Sequence, residues 1–162
     1  MATEAAASSR LPQHVYAAMR QSDTATIATW LDGGGDVKAL YGEDDETLLH
    51  LASSYGRVEI VELCIARGAD CNALSGSGNT ALLQAVQFLA HLDVVRVLLA
   101  AGADPLVRCE DEDGAVHTAL SAAKFRLEQN EGFGNFSAPE ICARWAEIVA
   151  LLSAASSNDE NK

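Results

Sequence analysis

The chain has 162 residues and a formal net charge of −12 at pH 7. Because this charge repels phosphate groups, we expect neither a nucleic acid nor an anionic membrane as partner; it favours a basic partner or simply solubility. Hydrophobic residues make up 49% of the chain and aromatic residues only 6%, so the expected core is one of small and aliphatic side chains without a membrane span.

The first predicted unit spans residues 11–41. It follows residues 1–10, a small, polar and alanine-rich stretch that we interpret as a disordered lead-in. A first helix is predicted near Pro12–Arg20, and Asp23 is placed to cap a second helix. Glycines at 33–35 end that helix. A terminal unit has one face in water, so its outer surface is expected to differ from the others.

The second predicted unit, residues 42–74, is the most regular. It begins with an acidic finger, since residues 43–46 read Glu-Asp-Asp-Glu. Thr47 can cap a first helix, because its hydroxyl accepts from an early backbone N–H. Gly56 ends this helix, and Gly68 ends a second helix that is apolar on most sides, as expected between two layers.

The third and fourth units, residues 75–112 and 113–153, depart from this regularity through insertions. One extra residue falls between the helices of the third unit, and four more enlarge its finger near Cys109–Glu112. Residues Asn130–Ala138 replace a tight turn between the last two helices. Residues 154–162 are predicted to be a disordered tail. The last helix should bury the stripe Ile141, Trp145, Ile148, Val149 and Leu152.

A fixed interval of 34 residues links the first three units. It separates Gly34, Gly68 and Gly102, and it also separates Asp36, Asp70 and Asp104. A constant period over turn and core residues is typical of repeat proteins, in which each unit is too small to bury its own apolar face and shares one with its neighbours.

Two stretches of the second unit resemble the motifs of ankyrin repeats. Residues 47–52, TLLHLA, resemble the Thr-Pro-Leu-His-x-Ala signature, with Leu48 in place of proline. Residues 68–72, GADCN, resemble Gly-Ala-Asp-Val-Asn. The resemblance covers about residues 11–153 and implies an all-α solenoid of about four helix-turn-helix repeats with β-hairpin-like fingers. It also implies that His50 bridges backbone groups between repeats.

The sequence predicts neither enzyme chemistry nor a cofactor. Among the four cysteines, Cys64, Cys71, Cys109 and Cys142, none forms a C-x-x-C pair, so we expect free thiols in a reducing compartment, cytoplasmic or nuclear. The acidic run at 110–113 fails as a calcium loop, because its first and twelfth positions are Cys109 and Leu120 instead of acids. No nucleophile motif or phosphate-binding glycine loop is present.

The resulting hypothesis is a protein-interaction module, an adaptor, assembly chaperone or inhibitor, that we expect to act as a monomer. By the resemblance, the fingers and the ends of the first helices form a concave face suited to a basic and apolar segment. The candidate partner-binding residues are Glu43, Asp44, Glu46, Tyr55, Phe88, Arg108, Glu110, Asp111 and Phe125. The alternative is a metal- or small-molecule-responsive sensor or enzyme that uses the inserted finger 109–113 and loop 130–138.

Overall fold

The computed structural model describes residues 10–87, 91–110, 114–132 and 139–159, which form eight helices and two short antiparallel hairpins. The helices are α1 (Gln13–Arg20), α2 (Thr24–Asp32), α3 (Leu48–Ser54), α4 (Val58–Ala66), α5 (Ala81–Gln87), α6 (Leu92–Ala100), α7 (Ala119–Gly132) and α8 (Pro139–Asp159). The hairpins pair β1 (Leu40–Tyr41) with β2 (Glu46–Thr47), and β3 (Cys109–Glu110) with β4 (Val116–His117).

The helices pack as four pairs arranged in two rows. Each first helix contacts its own second helix, and α1, α3, α5 and α7 contact one another in sequence order. The second helices α2, α4, α6 and α8 form the other row in the same order. The predicted all-α solenoid of about four helix-turn-helix repeats is therefore confirmed.

The core between the rows consists of aliphatic side chains that recur with the repeat. Ile27, Val61 and Val95 occupy equivalent places, 34 residues apart, and all three are fully buried. Leu48 and Leu49 at the start of α3 are also buried. Each side chain contributes to an interface that two repeats share, and burial of such a residue stabilises the fold by about 1.5–3 kcal/mol.

The repeated glycine and aspartate have local structural roles. Gly68 has φ of 84°, a left-handed conformation that lets the backbone turn back at the end of α4 without a steric penalty. Asp70 then accepts a hydrogen bond from the backbone N–H two residues later, at 2.9 Å. Asp36 and Asp104 make the same bond at 2.9 and 2.8 Å. The 34-residue period thus preserves the turn that leads into each finger.

A second periodic feature joins neighbouring repeats at the ends of their first helices. In each case a side chain of the next repeat donates to a carbonyl that the helix leaves without a partner: Arg57 Nη2 to Arg20 O (2.8 Å), His91 Nε2 to Ser54 O (3.2 Å) and Arg126 Nη2 to Gln87 O (2.9 Å). Because a helix C-terminus carries partial negative charge, these polar and cationic donors stabilise it.

The predicted boundaries need correction at both ends. Helix α8 continues to Asp159, so residues 154–159 of the predicted disordered tail are helical. At the other end, Arg10 does not belong to a free lead-in: its Nη1 donates to Gly42 O at 2.7 Å and forms an ion pair with Asp45 at 2.8 Å. In the predicted stripe of α8, Ile141 is 45% exposed, while Trp145, Ile148 and Leu152 are buried.

The insertions are accommodated in two ways. The connection between α5 and α6 is one residue longer than that between α3 and α4, which agrees with the extra residue predicted there. Of the predicted loop Asn130–Ala138, residues 130–132 continue α7 as its last turn, and residues 133–138 lie outside the described residues.

Candidate interaction groove

An open groove of about 900 Å³ lies between the first hairpin, α1 and α3. Its lining includes Tyr16, Tyr41 and Tyr55, which are all the tyrosines of the chain. The charged side chains of the lining are Asp44, Glu46 and Arg57. We call this site the tyrosine groove.

Three different elements bring the tyrosines together. Tyr16 lies on α1, Tyr41 on β1, and Tyr55 is the residue at which α3 ends. The rings of Tyr16 and Tyr41 are stacked, with centroids 4.0 Å apart and planes inclined by 13°. Stacking of two aromatic rings stabilises their arrangement by about 0.5–1.5 kcal/mol. The groove therefore has an aromatic wall that exists before any partner binds.

Hydrogen bonds fix the phenol groups of this wall. The hydroxyl of Tyr41 donates to Gln13 Oε1 at 3.2 Å. A hydrogen bond between the Tyr16 and Tyr55 hydroxyls raises the pKa of Tyr16, and burial adds to the rise. Tyr55 remains 40% exposed, so part of its ring is accessible to a ligand.

Contacts with residues of the second and third repeats fix the two acidic residues of the groove, Glu46 and Asp44. Glu46 lies directly opposite Tyr41 across the hairpin, so the two side chains are neighbours on one face. Its Oε1 accepts a hydrogen bond from Gln84 Nε2 at 2.6 Å. Burial raises the pKa of Glu46, and the charge of Asp44 adds to the rise, whereas the hydrogen bond from Gln84 opposes it. The backbone carbonyl of Asp44 accepts from Gly76 N at 2.6 Å, which ties this finger to the next.

Arg57 is the cation of the groove lining, but its guanidinium is directed to α1. Its Nη2 donates to the carbonyl of Arg20 at the end of that helix. Its Nε is buried and has no hydrogen-bond partner in the described part of the chain. The partial negative charge of the helix end offsets the Arg57 charge. Asp44 and Glu46 thus leave the groove acidic on balance.

The structure brings together only some of the residues that the sequence singled out. Asp44, Glu46 and Tyr55 line the tyrosine groove, and Glu43 is exposed in the turn of the same finger. Arg108, just before β3, and Glu110, in β3, are exposed two repeats further along the chain. Phe125 on α7 is 58% exposed. Phe88 and Asp111 lie outside the described residues.

Tyr16, Tyr41 and Arg57 line the groove but were missed in the sequence. A search for aromatic residues at the end of each first helix cannot find Tyr16, which lies earlier in its helix, or Tyr41, which lies in a finger. A signal for Tyr41 was present: the turn Gly42–Asp45 can close a hairpin, and a hairpin closed there places Tyr41 opposite Glu46.

His50 has the bridging position that the resemblance implied. Its Nδ1 accepts from Thr47 N at 3.3 Å, so the ring proton is on Nε2, which donates to the carbonyl of Ala73 at 3.0 Å. Burial lowers the pKa of His50, so the neutral ring is favoured. The residue connects the start of α3 to the second finger and is fully buried. This is a structural role.

The alternative hypothesis, a sensor or enzyme, requires a metal site or a reactive group. In residues 10–87, 91–110, 114–132 and 139–159, no three His, Cys, Asp or Glu side chains are grouped so that they could hold a metal ion. In the inserted finger, Cys109 is buried in the core, and its Sγ contacts the carbonyl of Val107 at 3.8 Å. Burial raises the pKa of the Cys64 thiol to about 12, which makes it unreactive.

Within the same ranges, no helix is both long and apolar enough to cross a membrane.

The comparison with protein families agrees with the fold. A model described as ankyrin repeats in three copies matches residues 15–109, which is more than half of the chain. The chain therefore belongs to the ankyrin-repeat family, whose members are generally protein–protein interaction modules. The match ends at the third finger, so the helix pair α7–α8 lies beyond it. Among curated proteins, no match was found.

Proposed function

We propose that this chain is a non-enzymatic adaptor, assembly chaperone or inhibitor that binds a segment of a partner protein in the tyrosine groove. The observation that carries the proposal is the convergence of all three tyrosines and two carboxylates on one open groove. Tyrosine is enriched at the centres of protein interfaces because it combines a large apolar surface with a polar end and few rotatable bonds.

The charge of the groove supports a partner segment that is both basic and apolar. The chain carries −12 overall, and Glu43, Asp44 and Glu46 place three acids on one finger. Carboxylates at an exposed rim contribute only about 0.2–1 kcal/mol each, but they accelerate the approach of a cationic partner. The rings supply most of the affinity, because truncation of a central aromatic residue often costs about 2 kcal/mol or more.

Selection from a random library of displayed linear peptides tests the proposal. We expect enriched peptides to combine Lys or Arg with apolar residues. Tyr55→Ala should speed their dissociation, and the triple change of Glu43, Asp44 and Glu46 to Lys should slow their association and weaken its dependence on salt.

Ile141→Ala is the matched control, since it removes an exposed apolar side chain on α8, outside the groove. It should leave both rates unchanged. The proposal would be overturned if the selection enriched no peptide, or if binding of the enriched peptides were insensitive to the groove variants.

A further inference from the structure

We infer that the tyrosine groove recognises one arginine side chain of the partner segment, with its guanidinium flat against the tyrosine rings and paired with Glu46. This inference rests on the proposed function and specifies the chemistry of its ligand. It follows from the arrangement of the rings, from the position and hydrogen bonding of Glu46, and from the position of Arg57, the cation of the groove lining.

The ring arrangement favours a planar cation. Three aromatic rings could in principle surround a methylated ammonium group, as cages for quaternary ammonium ligands do. Such a cage requires a space between its rings. Tyr16 and Tyr41 are instead stacked on each other at 4.0 Å, so no cation fits between them. What the pair offers to a ligand is a flat outer surface, and a guanidinium stacks on such a surface better than a tetrahedral ammonium.

Glu46 is placed to pair with a cation that lies on this surface. It stands opposite Tyr41 in the hairpin, and its hydrogen-bond partner in the described residues is the neutral amide of Gln84. Gln84 occupies one lone pair of Oε1, and a carboxylate has about four acceptor sites, so the bidentate pairing of a guanidinium remains possible. Burial raises the pKa of Glu46, so a cation brought close to this carboxylate would favour its ionised form.

Among the residues that the structure describes, no Lys or Arg forms an ion pair with Glu46. Arg57 lines the same groove, but its Nη2 is engaged by the carbonyl of Arg20, and Arg10 pairs with Asp45. A guanidinium supplied by a partner would form an ion pair with Glu46 and stack on the tyrosine rings at the same time. Lysine, a strongly hydrated point charge, would form only the ion pair.

The test uses blocked single amino acids as probes and the ring proton signals of the three tyrosines as readout. N-acetyl-arginine amide, titrated into the full chain, should shift these NMR signals. The citrulline analogue, which has nearly the same shape without the charge, should have little effect. The lysine and trimethyl-lysine analogues should bind more weakly than arginine.

The matched variants are Glu46→Gln and Glu62→Gln. The first keeps an acceptor for Gln84 and removes the charge, so arginine affinity should fall about five- to tenfold, as for the loss of a charge-assisted hydrogen bond. The second removes an exposed carboxylate on α4, outside the groove lining, and should change affinity less than about twofold.

Several results would overturn the inference. It would fail if the tyrosine signals did not respond to arginine, or if citrulline or trimethyl-lysine bound as well as arginine. It would also fail if the two variants had equal effects. Groove-dependent peptides that lack arginine would refute the inference and leave the proposed function intact. Arginine binding without any groove-dependent peptide would support the arginine site and refute the peptide-binding function.

Discussion

The second and fourth repeats begin in the same way and end differently. In both, a threonine bonds with the residue three positions later at the start of the first helix. Thr47 N and Oγ1 donate to His50 Nδ1, and the backbone N–H groups of Thr118 and Ser121 each donate to the other residue's hydroxyl. Helix α3 then ends after seven residues and is nearly all buried, whereas α7 runs for 14 residues and exposes Phe125. Helix α3 packs between α1 and α5, while α7 meets a first helix, α5, on one side. The starting signal is local, but the extent of burial depends on the neighbours.

The largest expected effect is a difference in core stability between these two repeats. Leu49 is buried, and Leu120, at the equivalent place in the fourth repeat, is only half-buried. Leu49→Ala should therefore lower the free energy of unfolding by about 2–5 kcal/mol, because it leaves a cavity between two repeats. Leu120→Ala should cost clearly less. Urea unfolding followed by circular dichroism measures both, and equal losses would show that the end repeat packs as tightly as the inner one.

The next largest effect on stability concerns the residue three positions after the threonine. In the second repeat this is His50, which titrates, and in the fourth it is Ser121, which does not. Substitution His50→Ser would leave the carbonyl of Ala73 without its partner and should cost about 1–3 kcal/mol at pH 7. Burial lowers the pKa of His50 below its ordinary value of 6.5, so the unfolded chain binds this proton more readily than the folded chain. The stability that this residue contributes is thus present above pH 6.5 and is lost as the pH falls below it.

The pH dependence can be isolated by comparing the wild type with His50→Ser at each pH. The difference in stability between them should shrink from pH 7 towards pH 5. Burial also lowers the pKa of His91, with smaller effects from the charges of Arg144 and Arg57, but this contribution is common to both proteins and cancels. A difference that stayed constant over this range would mean that His50 keeps its ordinary pKa in the fold.

These contrasts show how far the sequence could predict the molecule. The 34-residue period located the turns after the second helices, because Gly68 and Asp70 have roles that any copy of the unit must repeat. It could not predict that α7 would extend to Gly132 or that α8 would extend to Asp159. In the described residues these helices pack on one neighbouring repeat, so packing on two sides does not set their length. For the groove, Tyr55 followed from its place in the repeat, whereas the stacking of Tyr16 on Tyr41 depends on the contact of α1 with the first hairpin.

The third effect concerns the start of α7. Thr118 Oγ1 accepts from Ser121 N at 3.0 Å, so Thr118→Ala removes a helix cap and should cost about 1 kcal/mol. Because the pair α7–α8 packs on a single neighbouring repeat in the described part of the chain, we expect amides of α7 to exchange faster while those of α3 keep their protection. Thr118→Ser, which retains the hydroxyl, is the control. Faster exchange throughout the solenoid would mean that the repeats unfold only together.

The smallest expected effect on stability concerns Glu46, which lies in the groove of the first two repeats. Because the pKa of Glu46 is raised in the fold above its ordinary value of 4.5, its proton binds more tightly in the folded chain than in the unfolded chain. The corresponding stabilisation is present below pH 4.5 and is lost as the pH rises through the folded-state pKa. At pH 7 the ionised carboxylate therefore disfavours folding.

Glu46→Gln should accordingly raise the melting temperature at pH 7 by about 1–2 °C, since the glutamine oxygen can still accept from Gln84. The gain should vanish near pH 4, where the wild-type carboxyl group is protonated. Together with weaker arginine binding by the same variant, a gain at pH 7 would mean that the carboxylate serves the ligand at the expense of the fold. A loss of stability at pH 7 would instead assign Glu46 to the structure of the hairpin, and the groove would then have to attract its partner through Asp44 and the tyrosines.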